Sequence, residues 1–322
     1  MTAPFVWQVY DDRQIAYRPF IRLRANTRFS KVSMARLTIS LVTYNSAAVI
    51  ADCLRSIPTD VPVMVLDNAS TDNTIDIVHQ ARPSAQIIAP GKNLGFGNAH
   101  NFNLQNMDTE FGLVLNPDTI LLPRCLDELI ATADSDKQAG MIGAQHVHPD
   151  GTPYSCFGND TLYHPQITTI PEKKALSVTA DDVICVETIV GALMLIRRSA
   201  FPNNIYFDPN IFMYFEDIDI CAQTRMRGQT VLLNPRARVI HLQDKSSPPT
   251  LQIARLKGFA SQFGKLYVYK KYHPHLVEFL PYAAWSLKKI LSRLLKAALR
   301  GDGYELHRYA AGLLGWGKGL VS

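Results

Sequence analysis

The sequence predicts an α/β fold: a mostly parallel sheet with helices on both faces. Two observations carry this. The strong strand candidates are near-continuous apolar runs rather than alternating ones, and amphipathic helical segments separate them. A third observation concerns function, because Asn45, Asp67 and Asp118 all stand at the carboxyl ends of such runs. Open α/β sheets bind their ligands at those ends.

The elements follow in order. LTISLVTY, from Leu37, is the first buried strand, and Ser46–Ile57 reads as a helix. VPVMVLD (61–67) is a second strand, followed by a helix over Ser70–Gln80 opened by Ser, Thr and Asp. Residues 85–89 form a short strand, and Asn98–Gln105 a helix after a Gly-rich turn. FGLVLNPD (111–118) is the third strong strand, with a helix over Pro123–Ala133. Residues 146–186 are rich in Pro, His and Thr and read as loops and short strands. Residues 186–201 read as a strand feeding a turn, and 230–242 as a strand pair. From Leu251 the chain is helical, most clearly over Ala283–Arg300.

Charge divides the 322 residues into three parts. Residues 1–36 carry seven Lys/Arg against two Asp/Glu, residues 37–250 fourteen against twenty-three, and residues 251–322 twelve against three. The expected organisation is an N-terminal extension (1–36), a catalytic domain (37–250, with halves at 37–120 and 121–250) and a basic helical tail (251–322). An acidic body argues against nucleic acid as a partner. Five cysteines without close pairs fit a reducing compartment. Residues 1–30 show no apolar signal-peptide core, and Met34 is a candidate translation start just ahead of the first strand.

In the tail, Leu287, Ile290, Leu291, Leu294, Leu295 and Ala298 share one helical face, with Lys288, Lys289, Arg293, Lys296 and Arg300 around the rest. Together with Tyr282 and Trp285 this reads as a helix lying on an anionic membrane surface, since charges interrupt every turn of it. The alternative is a helix packed on the main domain with a solvated basic face.

The chemistry-bearing segments are individually weak. PGKNLGFGNAHN (90–101) lacks the spacing of a phosphate-binding P-loop and fails GxGxxG at its third glycine. Its Gly95 and Gly97 permit a close turn against a ligand. Asp118, in LNPDT, offers a hard oxygen ligand for a divalent ion. The richest stretch is NIFMYFEDIDICAQTRMRG (210–228), where Glu216, Asp217 and Asp219 open a helix behind Phe212, Tyr214 and Phe215. Three carboxylates in four residues exceed what helix capping requires. Neither HExxH nor GxSxG is present.

Taken in order, LVTYNS (41–46), LDNASTDNT (66–74), NLGFGNAHN (93–101), LNPD (115–118), VGALMLIRR (190–198), FMYFEDIDIC (212–221) and VIHLQDKSS (239–247) resemble family 2 of the nucleotide-sugar glycosyltransferases, and within it the bacterial rhamnosyltransferase-like branch. The resemblance covers about residues 37–270. It implies a GT-A fold and an inverting, metal-dependent transfer of a sugar, L-rhamnose from dTDP-rhamnose. The acceptor it implies is a glycan or a polyprenyl-diphosphate-linked sugar at the inner face of the cell membrane. The same fold with a UDP- or GDP-sugar, or a non-catalytic nucleotide-binding role, is the alternative.

By the resemblance Asp217 is the general base, Glu216 orients the site, and Asp118 and His241 hold a divalent ion, Mg2+ or Mn2+. Thr43, Asn45, Asp67, Asn68, Asn93, Gly95, Asn116 and Gly191 line the nucleotide-sugar pocket. The family's DxD motif reads Asn116-Pro117-Asp118 here, without its first carboxylate.

Overall fold

The structure is a computed structural model that describes residues 34–158, 182–242 and 250–322. Most of the N-terminal extension, with its candidate start, and much of the 146–186 segment therefore lie outside the described residues.

Strand β1 (Leu37–Thr43) leads to α1 (Ile50–Ser56), β2 (Val63–Asp67), α2 (Thr74–Ala81) and β3 (Gln86–Ile88). Helix α3 (Phe96–Gln105) precedes β4 (Phe111–Leu115), short β5 (Thr119–Leu121), α4 (Cys125–Ser135) and β6 (Ala139–Val147). The short strands β7 (Phe157–Gly158), β8 (Ile184–Cys185) and β9 (Thr188–Ile189) lead to β10 (Leu193–Arg197). Then come α5 (Glu216–Met226), β11 (Thr230–His241) and three long helices, α6 (Leu251–Tyr272), α7 (Leu276–Arg300) and α8 (Gly303–Val321).

The main sheet runs β3-β2-β1-β4-β10-β6-β11-β5, with β8 on the side of β11. Its β3, β2, β1 and β4 strands are parallel, as are β6 and β11. Strand β10 lies between them antiparallel to both β4 and β6, and β5 and β8 run antiparallel to β11. The sheet is thus more mixed than the apolar runs predict, and β10 follows β9 by a short turn.

Side chains of successive strand residues point to opposite faces, and both faces here are apolar. Ile39, Leu41, Val63, Val65, Leu113 and Leu115 enter one core with α1 and α4, while Met64, Val114, Met194 and Ile196 enter a second with Leu104 and Ile220. Burial on both faces explains the near-continuous hydrophobic runs. Two elements differ from the sequence reading. Strand β6 is buried throughout but is rich in Gly and Ala, which conceals it from a search for branched residues. The 230–242 pair is a single strand whose register with β6 breaks between Asn234 and Arg238. Pro235 falls there and offers no N–H to the ladder.

The helical tail packs on itself and on the body. Gly258 of α6 faces the Arg308 carbonyl of α8, and Gly315 of α8 faces that of Phe259, so closely that any Cβ would clash. Asp302 caps α8 by accepting from the Glu305 N–H at 3.0 Å.

Candidate active site

The candidate residues gather at the last residues of β1, β2 and β11, on the loops after β1, β2, β3 and β4, in the turn between β9 and β10, and at the start of α5. Asp67 ends β2 beside Thr43, which ends β1. Its carboxylate accepts from Thr43 Oγ1 at 2.8 Å, from the Ser70 N–H at 2.8 Å and from Ser70 Oγ at 2.5 Å. Asn45, in the left-handed region at φ 52°, accepts from the Thr71 N–H at 2.7 Å, and its own N–H donates to Ser70 Oγ at 2.8 Å. Of the three polar residues that open the α2 segment, Asp72 meets the helix, accepting from the Thr74 N–H at 3.1 Å. Ser70 and Thr71 instead tie the loop to Asp67 and Asn45.

Asn68 bridges this loop to the Gly-rich one. Its Nδ2 donates to the Gly95 carbonyl at 3.0 Å, and its Oδ1 accepts from the Leu94 N–H at 3.0 Å. Asn93 accepts from the Gly95 N–H at 2.9 Å. Gly95 has φ +83°, and a Cβ there would overlap the Phe212 carbonyl, which accepts from the Phe96 N–H at 2.8 Å. The close approach expected of this glycine is therefore to the protein's own 207–215 segment. Gly97 likewise packs against the Phe207 side chain. Helix α3 accordingly starts two residues earlier than its polar pattern implies.

The Asn116-Pro117-Asp118 turn closes with the Thr119 N–H donating to the Asn116 carbonyl at 3.1 Å. The Asn116 N–H donates to the Ala192 carbonyl at 2.9 Å, and the neighbouring Gly191 N–H donates to Asp217 Oδ2 at 3.3 Å. The Gly191–Ala192 backbone thus connects the Asp118 turn to the Asp217 side chain at the start of α5. Asp118 is 2% exposed, and its Oδ1 has no hydrogen-bond partner. That oxygen lies 3.5 Å from His241 Nε2, because His241 pairs with Thr119 across β5 and β11. His146, held neutral by burial with its pKa lowered to about 3, packs edge-on against the His241 ring at 5.4 Å.

An orphaned, buried carboxylate oxygen facing an imidazole is half of a metal site. Among the described residues no third His, Cys, Asp or Glu joins the pair. The hard carboxylate oxygen of Asp118 and the His241 imidazole are donors that would hold a divalent ion, and such an ion would supply positive charge to a substrate's diphosphate.

Helix α5 begins after two residues in the left-handed region, Tyr214 (φ 69°) and Phe215 (φ 71°). Such strain in non-glycine residues collects at functional sites. The turn delivers Asp217 beside Gly191, with its Oδ1 accepting from the Ile218 N–H at 2.9 Å. Burial raises the Asp217 carboxyl above its ordinary range, where the sequence alone implies an aqueous one. Glu216 is raised too, by burial and by the charge of Asp217, and its Oε2 faces the interior without a partner.

The third acid, Asp219, is fully buried and held from α6. Lys271 Nζ lies 2.8 Å from Asp219 Oδ1 and 2.7 Å from Asp208 Oδ2, and Tyr272 donates to Asp219 at 2.8 Å. Tyr267 donates to Asp208 Oδ2 at 3.1 Å. Burial opposes the charge on Lys271, and the two carboxylates outweigh it, leaving its pKa raised. These α6 residues escape the sequence reading because they sit in the basic tail. The repeat of Tyr267, Lys271 and Tyr272 on one helical face is the only signal of them.

Comparison with known proteins bears on the family and the fold. The family model described as glycosyl transferase family 2 matches residues 38–202, just over half of the chain. An N-acetylglucosaminyl-diphospho-decaprenol L-rhamnosyltransferase of Mycobacterium tuberculosis is 30% identical over 213 residues, covering 58% of this chain and 68% of the relative. A low-salt glycan biosynthesis hexosyltransferase of Haloferax volcanii is 26% identical over 200 residues, covering 59% of this chain and 61% of the relative. Among solved structures, GalNAc-T7 with UDP, GalNAc and Mn2+ superposes with a TM-score of 0.55 at 13% identity, over 73% of this chain and 48% of that one. The mannosyltransferase PcManGT of Pyrobaculum calidifontis, in complex with GDP-Man and Mn2+, gives 0.52 at 17% identity, over 88% and 87%. The chain belongs to glycosyl transferase family 2 and has the GT-A fold.

Proposed function

We propose that this glycosyltransferase moves L-rhamnose from dTDP-rhamnose, with inversion, onto a polyprenyl-diphosphate-linked sugar of a growing cell-surface glycan. The observation that carries the reading is the position of Asp217. It stands at the start of α5, hydrogen-bonded to the Gly191–Ala192 backbone that also holds the Asp118 turn. The rhamnosyl donor and the lipid-diphosphate acceptor rest on the 30% identical relative, whose name carries both a diphospho-decaprenol acceptor and L-rhamnose.

Asp217 takes the proton of an acceptor hydroxyl as that oxygen bonds to the anomeric carbon. The bond from that carbon to the diphosphate oxygen breaks on the opposite face, and dTDP leaves with the electron pair. The product is the inverted glycoside, and the proton rests on Asp217. Thr43, Asn45, Asp67, Asn68, Asn93 and Gly95 frame the nucleoside side, and Asn116 and Gly191 the sugar side. Asp118 and His241 would hold a divalent ion, which supplies positive charge to the leaving diphosphate. Glu216, buried beside Asp217, helps to orient the site.

The place of action we propose is the inner face of the cell membrane, reached peripherally through the tail. No helix among the described residues is long and apolar enough to cross a membrane. Tyr282 and Ile290 of α7 are buried within the tail, which takes up part of the apolar face. Leu276, Leu280, Leu291, Leu295 and Leu299 remain exposed, in a segment of strongly positive net charge.

The function is tested by incubating the protein and Mg2+ with dTDP-rhamnose, UDP-sugars or GDP-sugars, with and without N-acetylglucosaminyl-diphospho-decaprenol. Acceptor-dependent dTDP release from dTDP-rhamnose alone is expected. Release from a UDP- or GDP-sugar instead would overturn the donor assignment and leave the transferase.

A further inference from the structure

A group of cations on the seam between α6 and α7 has no part in the site described above. The Trp285 indole has the Lys265 ammonium 4.4 Å and the Lys289 ammonium 3.9 Å from its ring centroid. Lys265 also lies 5.3 Å from the Tyr282 ring. Arg293 follows Lys289 by one helical turn on the same face of α7.

Among the described residues, neither Lys265 nor Arg293 forms an ion pair with a carboxylate. Burial, with the like charges of Lys289 and Arg293, pushes Lys265 down to about 8. Aromatic faces relieve part of that repulsion. An anion placed among the three would relieve much more of it.

The position of the cluster names the anion. Gly264, the residue before Lys265, packs so tightly on the turn leading to Glu216 that a Cβ there would lie 2.5 Å from the Tyr214 carbonyl oxygen. The seam thus lies one residue along α6 from the contact with the Tyr214–Phe215 turn, which leads into Glu216 and Asp217. A diphosphate-bearing acceptor whose hydroxyl is brought to Asp217 carries its charge close to an acidic turn, and positive charge beside it favours that position.

We propose that Lys265 and Lys289, both at the Trp285 ring, together with Arg293 one turn further along α7, seat the diphosphate of a lipid-linked acceptor while its sugar hydroxyl reaches Asp217. The inference rests on the acceptor class proposed above.

The test is steady-state kinetics of the full chain with N-acetylglucosaminyl-diphospho-decaprenol, comparing wild type with Lys265→Gln, Arg293→Gln and Lys265→Arg. Calorimetric affinity for dTDP is measured alongside as a readout of the donor site. Each Gln variant is expected to raise the acceptor KM about tenfold, the equivalent of about 1.4 kcal/mol. Lys265→Arg restores most of the loss, and the dTDP Kd does not move. An unchanged acceptor KM in both Gln variants overturns the seat and leaves the acceptor class standing. A wild type that binds dTDP but transfers nothing to the diphospho acceptor refutes the acceptor class, and the seat with it.

Discussion

Asp217 and Glu216 share a buried acidic turn, yet only Asp217 has N–H groups on both carboxylate oxygens. Asp217→Asn keeps the shape and removes the base, so turnover should fall about 10²–10⁴-fold with dTDP affinity retained. Because burial raises the Asp217 carboxyl, the acid limb of the kcat profile should lie above the usual Asp value of about 4. A limb at or below that value would count against Asp217 as the base. His100 gives a separate prediction on stability. It is fully buried, its Nδ1 lies 2.7 Å from Ser40 Oγ, and burial lowers its pKa to about 3. The unfolded chain takes up this proton below about pH 6.5 and the folded one does not, so stability falls as pH drops. The slope should approach 1.4 kcal/mol per pH unit between about pH 6 and 4 for this residue. Urea melts of wild type and His100→Gln across that range check it, and parallel slopes would contradict it. The sequence marks Asp67 and Asp118 as acids at strand ends and Glu216, Asp217 and Asp219 as a surplus of acids, while the choice of Asp217 among the three rests on the family resemblance. The partners of Asp118 and Asp217 are less visible, since the Asp118–His241 approach depends on β5 pairing with β11 and Asp217 on the return of Gly191 to α5.

Helix α6 shows how far an element can differ from its charge class. The division at residue 250 follows charge and secondary structure, but Lys271, Tyr267 and Tyr272 reach across it to Asp208 and Asp219. Lys271→Met leaves two buried carboxylates without their cation, a change that costs about 3 kcal/mol or more. Chemical denaturation should show that loss, with Lys271→Arg recovering part of it. Equal stability of the Met variant would mean that α6 does not hold the acidic segment. Most of β1 to α4 is legible because its main strands are buried on both faces and its helices on one. Strand β6 and the tail contacts are not, since glycine, alanine and tyrosine acquire their meaning from neighbours distant in sequence.

At the scale of the whole molecule, an acidic sheet domain carries a basic three-helix tail, and α7 presents leucines that the fold leaves uncovered. Leu295 is 61% and Leu299 78% exposed. Replacing Leu291, Leu295 and Leu299 together with Gln should abolish sedimentation with phosphatidylglycerol vesicles while leaving the thermal transition unchanged. Undiminished sedimentation would remove α7 as the membrane contact. We propose that Asp217 drives transfer of rhamnose to a lipid-diphosphate acceptor. The most direct test is dTDP release from dTDP-rhamnose by wild type and Asp217→Asn, with and without N-acetylglucosaminyl-diphospho-decaprenol. The prediction is release that requires the acceptor and disappears in the Asn variant. Acceptor-dependent release that persists at the wild-type rate in Asp217→Asn would contradict it.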